Sequence, residues 1–325
     1  MRMSNLIAAL TFAAGTFGGV TQALAADHGD TPNLIGLARN DARISDFHVF
    51  RNGDNLVLAL STFPNLPSAT YKFSSDLTLR FHIDNHSAVS FDNQTDNDQF
   101  GGTIVDPEGV AADIVLTFTF DRNGVPELST SGLSGKQEKN IKVFAGMRDD
   151  PFIRGPQIGR NVASIVVEFP LEDALGGKSK KKGNAGGKGG TILAWATSKV
   201  PDITGPISEL GARALRSQCP QPVCVALDGA DLNLRNETSP HKYAANLGLR
   251  PDVVIFDTTR PAAFPNGRAL TDDVVNLIAQ FGQNILANDF PCPSANDVPF
   301  LTDFPYLAPP QFGAAMPGIG PACPL

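Results

Sequence analysis

Residues 112–121 read Ala-Asp-Ile-Val-Leu-Thr-Phe-Thr-Phe-Asp, and in an extended chain Ile114, Leu116, Phe118 and Phe120 share one side while Val115, Thr117 and Thr119 take the other. Side chains of a strand alternate between faces with a period of two, so the stretch predicts a half-buried strand. Further runs of strand character lie on both sides of it: NLVLALS from Asn55, LTLRFHID from Leu77, IKVFAG from Ile141, NVASIVVEF from Asn161 and TILAWATS from Thr191. Turn residues divide them. Arg51-Asn52-Gly53-Asp54 and Asp121-Arg122-Asn123-Gly124 are the clearest, the second carrying the Asn-Gly pair of tight hairpins. The expectation is a mainly β (α+β) chain: an antiparallel β-sandwich or barrel over residues 26–200, with a helical C-terminal portion.

Beyond Pro201 the pattern changes. ISELGARALRSQ and TDDVVNLIAQFGQNIL predict helices, the second with Thr271 as N-cap and Asp272 and Asp273 in its first turn, and PDVVIFD between them predicts a strand. From Phe290 the chain is rich in proline and aromatic residues and predicts an ordered coil pinned by Cys292. Residues 201–325 are therefore expected to form an α/β portion packed on the β core, within one continuous domain. Residues 176–190, GGKSKKKGNAGGKGG, predict a solvated loop. Its five lysines could touch an anionic surface, but Gly187-Lys188 lacks the spacing of a phosphate-binding P-loop.

The first 25 residues carry Arg2, an apolar run from Leu6 to Val20 and then Ala23-Leu24-Ala25, the small-x-small pattern of a cleaved secretion signal. The expectation is export to the periplasm or medium after cleavage at Ala25, with no transmembrane segment in the mature chain. Four cysteines, Cys219, Cys224, Cys292 and Cys323, then lie in an oxidising space, where an even count favours disulfides. Three connectivities are open; the short CPQPVC loop favours Cys219 with Cys224 and Cys292 with Cys323. The formal charge of -7 gives the whole chain no general attraction for nucleic acid.

Several carboxylate and imidazole groups could hold a metal ion. Cleavage at Ala25 would leave His28 third in the chain, where an amine, two backbone nitrogens and an imidazole suit square-planar Cu(II) or Ni(II). His28 with Asp30, and His82 with Asp84, are spaced two apart, which in a strand places both side chains on one face. Asp92, Asp96, Asp98, Asp106 and Glu108 crowd a Gly- and Asn-rich stretch with the oxygen chemistry of Ca²⁺, without EF-hand spacing. Asp41 and Asp46 lead into a strand, and Arg148-Asp149-Asp150-Pro151 ends another; each set could hold a divalent ion or lock a turn. Pro265-Asn266-Gly267-Arg268 predicts a turn in which Gly267 takes positive φ, with Arg268 at the surface or against the tail. Gly-x-Ser-x-Gly and His-Glu-x-x-His are both absent from the chain.

Segments spread along the mature chain resemble a bacterial family known as a domain of unknown function, DUF4331. They are His28-Gly29-Asp30-Thr31-Pro32, NDARISDFHVF, FHIDNHS, FAGMRDDPF, LAWATS, FPNGRALTDDVV and NDVPFLTDFPYLAPP. The resemblance implies an exported, mostly β protein without an established activity. The chain departs from the family's pattern at Gly29-Asp30, where Arg-Glu is usual, and at Asn85-His86-Ser87, where an Asp-rich turn is shortened. The resulting expectation is a non-catalytic binding or structural module, with Ca²⁺ as the candidate stabilising ion. The alternatives are a metal-dependent hydrolase using Asp149 and Asp150 with His28, Asp30 or His82, and copper or nickel capture by the mature N-terminus.

Overall fold

A computed structural model describes residues 37–66, 70–86, 111–153, 160–176, 190–202, 209–211, 254–264, 266–273 and 295–311. The first 25 residues, His28, Asp30, Asp96, Asp98, all four cysteines and residues 177–189 of the lysine-rich stretch lie outside the described residues, as does Pro265.

The described chain is mostly β, arranged as two antiparallel sheets. The first has the order β1 (Ile44–Asn52), β2 (Asn55–Leu66), β7 (Asn161–Pro170), β6 (Lys142–Asp149). The second runs β10 (Val254–Asp257), β8 (Thr191–Lys199), β3 (Thr78–Asp84), β4 (Ile114–Phe120), β5 (Pro126–Ser131), with β9 (Glu209–Gly211) also paired to β8. Two one-turn helices, α1 (Gly135–Glu138) and α2 (Leu171–Ala174), are the α-helices among the described residues.

Both turn signals produce hairpins. Asn52 pairs with Asn55, leaving Gly53 at φ 58°, and the Asp121–Val125 turn joins β4 to β5 with Gly124 at φ 79°. A side chain at Gly124 would sit 2.9 Å from the backbone nitrogen of Phe73, so both conformation and space require glycine there.

The alternation of residues 114–120 is realised: Ile114, Leu116, Phe118 and Phe120 are buried and Thr119 is exposed. They meet Leu79, Phe81, Ile83, Ala194, Ala196 and Phe256 of their own sheet, and Phe47, Leu56, Leu58, Leu60, Ile165, Val167 and Phe169 of the other, in one apolar cluster. Two antiparallel sheets thus face each other across a shared core, in the manner of a β-sandwich.

The four-stranded sheet is buried on its second face as well. Val57, Ala59 and Val166 point away from the inter-sheet core and pack with Leu270, Tyr306 and Leu307, flanked by Phe50, Phe144, Phe300 and Phe304. The Pro- and aromatic-rich coil of residues 295–311 is therefore a cover on this face. Tyr306 donates its hydroxyl proton to the buried Glu168 and accepts from Asn52 at 2.8 Å, while Glu168 also accepts from Asn55 and Lys142 at 3.1 and 2.6 Å.

One expected helix is corrected in part. Glu209–Gly211, inside the run predicted as ISELGARALRSQ, is the strand β9 and pairs with Thr197–Lys199. β10 covers β8 only from Thr191 to Ala194, so the rest of that edge presents unpaired backbone groups, and a short strand satisfies them. Thr271–Asp273 are not helical, and the remainder of the second predicted helix lies outside the described residues.

Candidate functional site

Among the described residues, a buried polar constellation forms where the turn before Leu270 crosses from one sheet to the other. Gly267 N–H donates to Ile255 O of β10 at 2.8 Å, and Arg268 exchanges both backbone hydrogen bonds with Val49 of β1, at 2.8 and 3.1 Å. Asn266 anchors the preceding turn: its side chain accepts from Asp257 N–H at 2.7 Å and donates to Pro261 O at 3.1 Å. Asp272 closes the far side by accepting from Phe264 and Ala269 N–H, at 2.9 and 2.7 Å. Gly267 has φ 69°, and a Cβ there would stand 2.6 Å from Val49 O, so only glycine lets the chain pass between the sheets.

This stitch carries Arg268 into the protein. Its side chain is 1% exposed, and Nη2 donates to Asp46 Oδ1 at 2.5 Å, with the Asp46 carboxylate fully buried. The surface or tail-contacting role expected of Arg268 is thereby corrected. Its backbone lies on the β1 edge, and the nearest carboxylate is Asp46, three positions back along that strand from Val49.

His48 lies two residues beyond Asp46, on the same face of β1, and is fully buried. Neither ring nitrogen has a hydrogen-bond partner. Burial, reinforced by the nearby Arg268 charge, holds His48 well below its ordinary pKa, so the ring is neutral at neutral pH. Burial likewise pushes the Asp46 carboxyl up to about 6, against the opposing pull of Arg268.

The same face carries Ser61, opposite Asp46, and Ser164, opposite Ser61, whose hydroxyls are 3.3 Å apart. Chemically the group is an ion pair with a neutral imidazole beside it. All of its members are buried, which suits a lock better than a site that must admit substrate.

The other candidates close on donors of the fold. Asp41 receives two hydrogen bonds from Arg39, at 3.0 and 2.9 Å, and the same guanidinium binds Asp76 and Asp202. His82 and Asp84 share a face of β3, as their spacing predicts, yet they diverge in partner. The His82 ring stacks on Trp195 at 5.1 Å, with Nε2 2.9 Å from Thr197 Oγ1. Asp84 accepts the backbone N–H of His86 and Ala111, at 2.9 and 3.0 Å, and so clasps those two residues together. Asp113 adds to that clasp, bonding His86 Nδ1 at 2.6 Å and Asn85 N–H at 2.8 Å.

At the end of β6 the adjacent carboxylates part. Asp150 accepts from Phe152 N–H at 3.1 Å beside Pro151, the turn-locking arrangement expected. Asp149 reaches the C-terminal coil, accepting from Asn296 at 2.8 Å and Gln311 at 2.7 Å. Arg148 pairs with neither of them in these contacts; its guanidinium lies 4.0 Å over the Phe144 ring. Burial and the Asp297 carboxylate push Asp149 up to about 7. Among the described residues, no three His, Cys, Asp or Glu side chains are arranged to hold a metal ion.

Sequence reasoning missed His48, Glu168, Asn296, Gln311 and Tyr306. A signal existed for His48: Asp46-Phe47-His48 has the same spacing that singled out His82 and Asp84, in reverse order. The others are polar residues whose importance comes from pairing across more than a hundred positions, for which one sequence carries no mark. No family model, curated protein or solved structure matches the chain.

Proposed function

We propose that this protein is a non-catalytic binding or structural module of the bacterial cell envelope or medium. One observation carries the reading: among the described residues the candidate carboxylates Asp41, Asp46, Asp84, Asp149 and Asp150 each accept hydrogen bonds from the protein's own side chains or backbone, some from adjacent residues and some from far along the chain. A hydrolase needs such groups to converge on an open position for water or substrate. The leader-like first 25 residues and the resemblance to exported β proteins of the DUF4331 family support the location. No helix among the described residues is long and apolar enough to cross a membrane. Calcium is the ion whose oxygen chemistry suits Asp92, Asp96, Asp98, Asp106 and Glu108, which lie between Asp84 and Asp113 in the sequence and outside the described residues.

The test uses protein secreted by a bacterial host. Terminal sequencing should find Ala26 first, and elemental analysis should find no stoichiometric transition metal. Addition of a chelator should leave the activity assays blank and should shift thermal unfolding only as far as bound calcium stabilises the native state. A stoichiometric transition metal that disappears on Asp149→Asn or His82→Ala would overturn the reading in favour of a metal-dependent hydrolase.

A further inference from the structure

We propose that the open edge of β6 docks an extended, carboxylate-bearing segment of a partner protein, which adds to the four-stranded sheet as a further antiparallel strand. β6 ends the order β1-β2-β7-β6, so one side of it pairs with β7 and the other faces outward. The Asp149 N–H shows which residues face which way, because it donates to Ala308 O at 3.2 Å, away from β7. Backbone groups of a strand alternate in direction, so Val143, Ala145 and Met147 also direct their N–H and C=O outward, and Phe144, Gly146 and Arg148 bond β7. The hairpin closed by Asn52 and Asn55 gives the same alternation when the registers are followed across β2 and β7. Among the described residues no backbone hydrogen bond reaches the outward groups of Val143, Ala145 and Met147. Val143 to Arg148 are half-buried, whereas their partners on β7 are fully buried.

The side chains beside this edge select the occupant. Phe144, Gly146 and Arg148 follow one another on the outer face, and the Arg148 guanidinium lies 4.0 Å over the Phe144 ring. Arg148 is half-buried, its Nε has no hydrogen-bond partner, and burial lowers its pKa with no carboxylate acting against it. A carboxylate brought opposite it would supply the missing anion in a charge-assisted hydrogen bond. Lys142, at the other end of the strand, is exposed and bonded to Glu168 at 2.6 Å. Residues 136–148 hold four cations and one anion, on a chain whose formal net charge is -7. A second copy of the chain does not fit: the antiparallel register that engages all three outward residues of both copies sets Lys142 against Arg148 twice, and like charges directly opposite are destabilising. β5, the edge of the other sheet, opens with Pro126, which has no N–H to offer a partner.

An antiparallel strand laid on this edge exchanges backbone bonds with Val143, Ala145 and Met147 and sets its alternate residues opposite Lys142, Phe144, Gly146 and Arg148, as close non-hydrogen-bonded pairs. Carboxylates face Arg148 and Lys142, and apolar side chains face Phe144 and Gly146. The Phe144 ring comes within 3.0 Å of where a Gly146 Cβ would stand, so ring and glycine together make a flat apolar seat. The remaining side chains of the added strand extend the inter-sheet core past Val143, Ala145 and Met147, which are partly buried against it. The site rests on the reading of the chain as a binding module and names the class of its partner.

The probe is the peptide acetyl-Glu-Thr-Ile-Thr-Val-Thr-Glu-amide, titrated into the full-length protein with amide exchange followed by NMR. In the free protein the amides of Val143, Ala145 and Met147 should exchange fast and those of Phe144, Gly146 and Arg148 slowly, and the peptide should protect the first set about tenfold. Replacing both peptide glutamates by lysine should weaken binding about tenfold or more, and so should Arg148→Gln in the protein. N-methylation of the peptide's threonine amides, which removes the donors that meet β6 and leaves the protein untouched, should abolish the protection. No protection of Val143, Ala145 and Met147 at millimolar peptide, or equal affinity for the parent and N-methylated peptides, would overturn the docking site. The terminal-sequencing and metal measurements test the module reading separately, so failure of one is distinguishable from failure of the other.

Discussion

The two faces of the four-stranded sheet are buried by different physics. The face toward the second sheet is predominantly apolar, with Phe47, Leu58, Leu60, Ile165 and Val167 packed on Phe81 and Phe118. The opposite face mixes Val57, Ala59 and Val166 with Asp46, His48, Ser61, Ser164 and Glu168, and its cover is held by directional bonds from far along the chain. Burial of apolar area is tolerant of exact partner and contributes by amount, roughly 25 cal/mol per Å². On a buried polar face each partner counts singly, since removing one leaves a charge or donor whose uncompensated desolvation is destabilising. The inner face should therefore yield gradually to substitution, and the outer face abruptly.

The largest expected effect comes from removing one half of the buried ion pair. Arg268→Met leaves Asp46 buried without its cation and should lower stability by about 3–5 kcal/mol in urea denaturation. Phe81→Leu, a modest truncation of the inner face, should lose about 1–2 kcal/mol by the same measurement, by loss of contact and cavity formation alone. Gly267→Ala sits between these: positive φ and the close approach of Val49 O should together remove on the order of 2–3 kcal/mol.

Tyr306→Phe sharpens the contrast on the outer face by removing a single polar atom. It keeps the ring against Phe50 and Phe304 but deletes the hydroxyl that bonds Glu168, and should lose about 1.5–3 kcal/mol, with faster proteolysis confined to residues 295–311. The smallest and most specific effect is a pH dependence. His48 is held neutral in the fold, with its pKa below the unfolded value of 6.5, so the unfolded chain takes up the proton first. Its contribution is fully present above about pH 6.5 and is lost as pH falls below it; His48→Phe should flatten that acid limb of the stability profile.

The same contrast explains what could be read from the sequence. The inner face was legible because alternation such as that of residues 114–120 is a local pattern, and the hairpin glycines Gly53 and Gly124 announce themselves beside Asn or Asp. The outer face was not, because its organisation depends on partners such as Asp46 with Arg268, 222 positions apart, and Glu168 with Tyr306, 138 apart. The Pro265–Arg268 stretch shows the boundary within a few residues. The need for positive φ at Gly267 follows from its residue type and turn context, whereas the burial of Arg268 follows only from where that turn lands. β9 fell to the same limit: the edge of β8 that recruits Glu209–Gly211 is a property of the assembled sheet. For the carboxylates, residue type and spacing raised metal chemistry at Asp41, Asp46, Asp84, Asp149 and Asp150, and only the assembled partners assign each to the lock that it forms.

A double-mutant cycle on Asp46 and Arg268 tests the central claim most directly. Urea denaturation of Asp46→Leu, Arg268→Met and the double variant should show each single substitution strongly destabilising and the pair together far less so, with a coupling of at least about 2 kcal/mol. Additivity within about 0.5 kcal/mol would mean that the two side chains do not meet, and the stitch between the sheets would have to be abandoned.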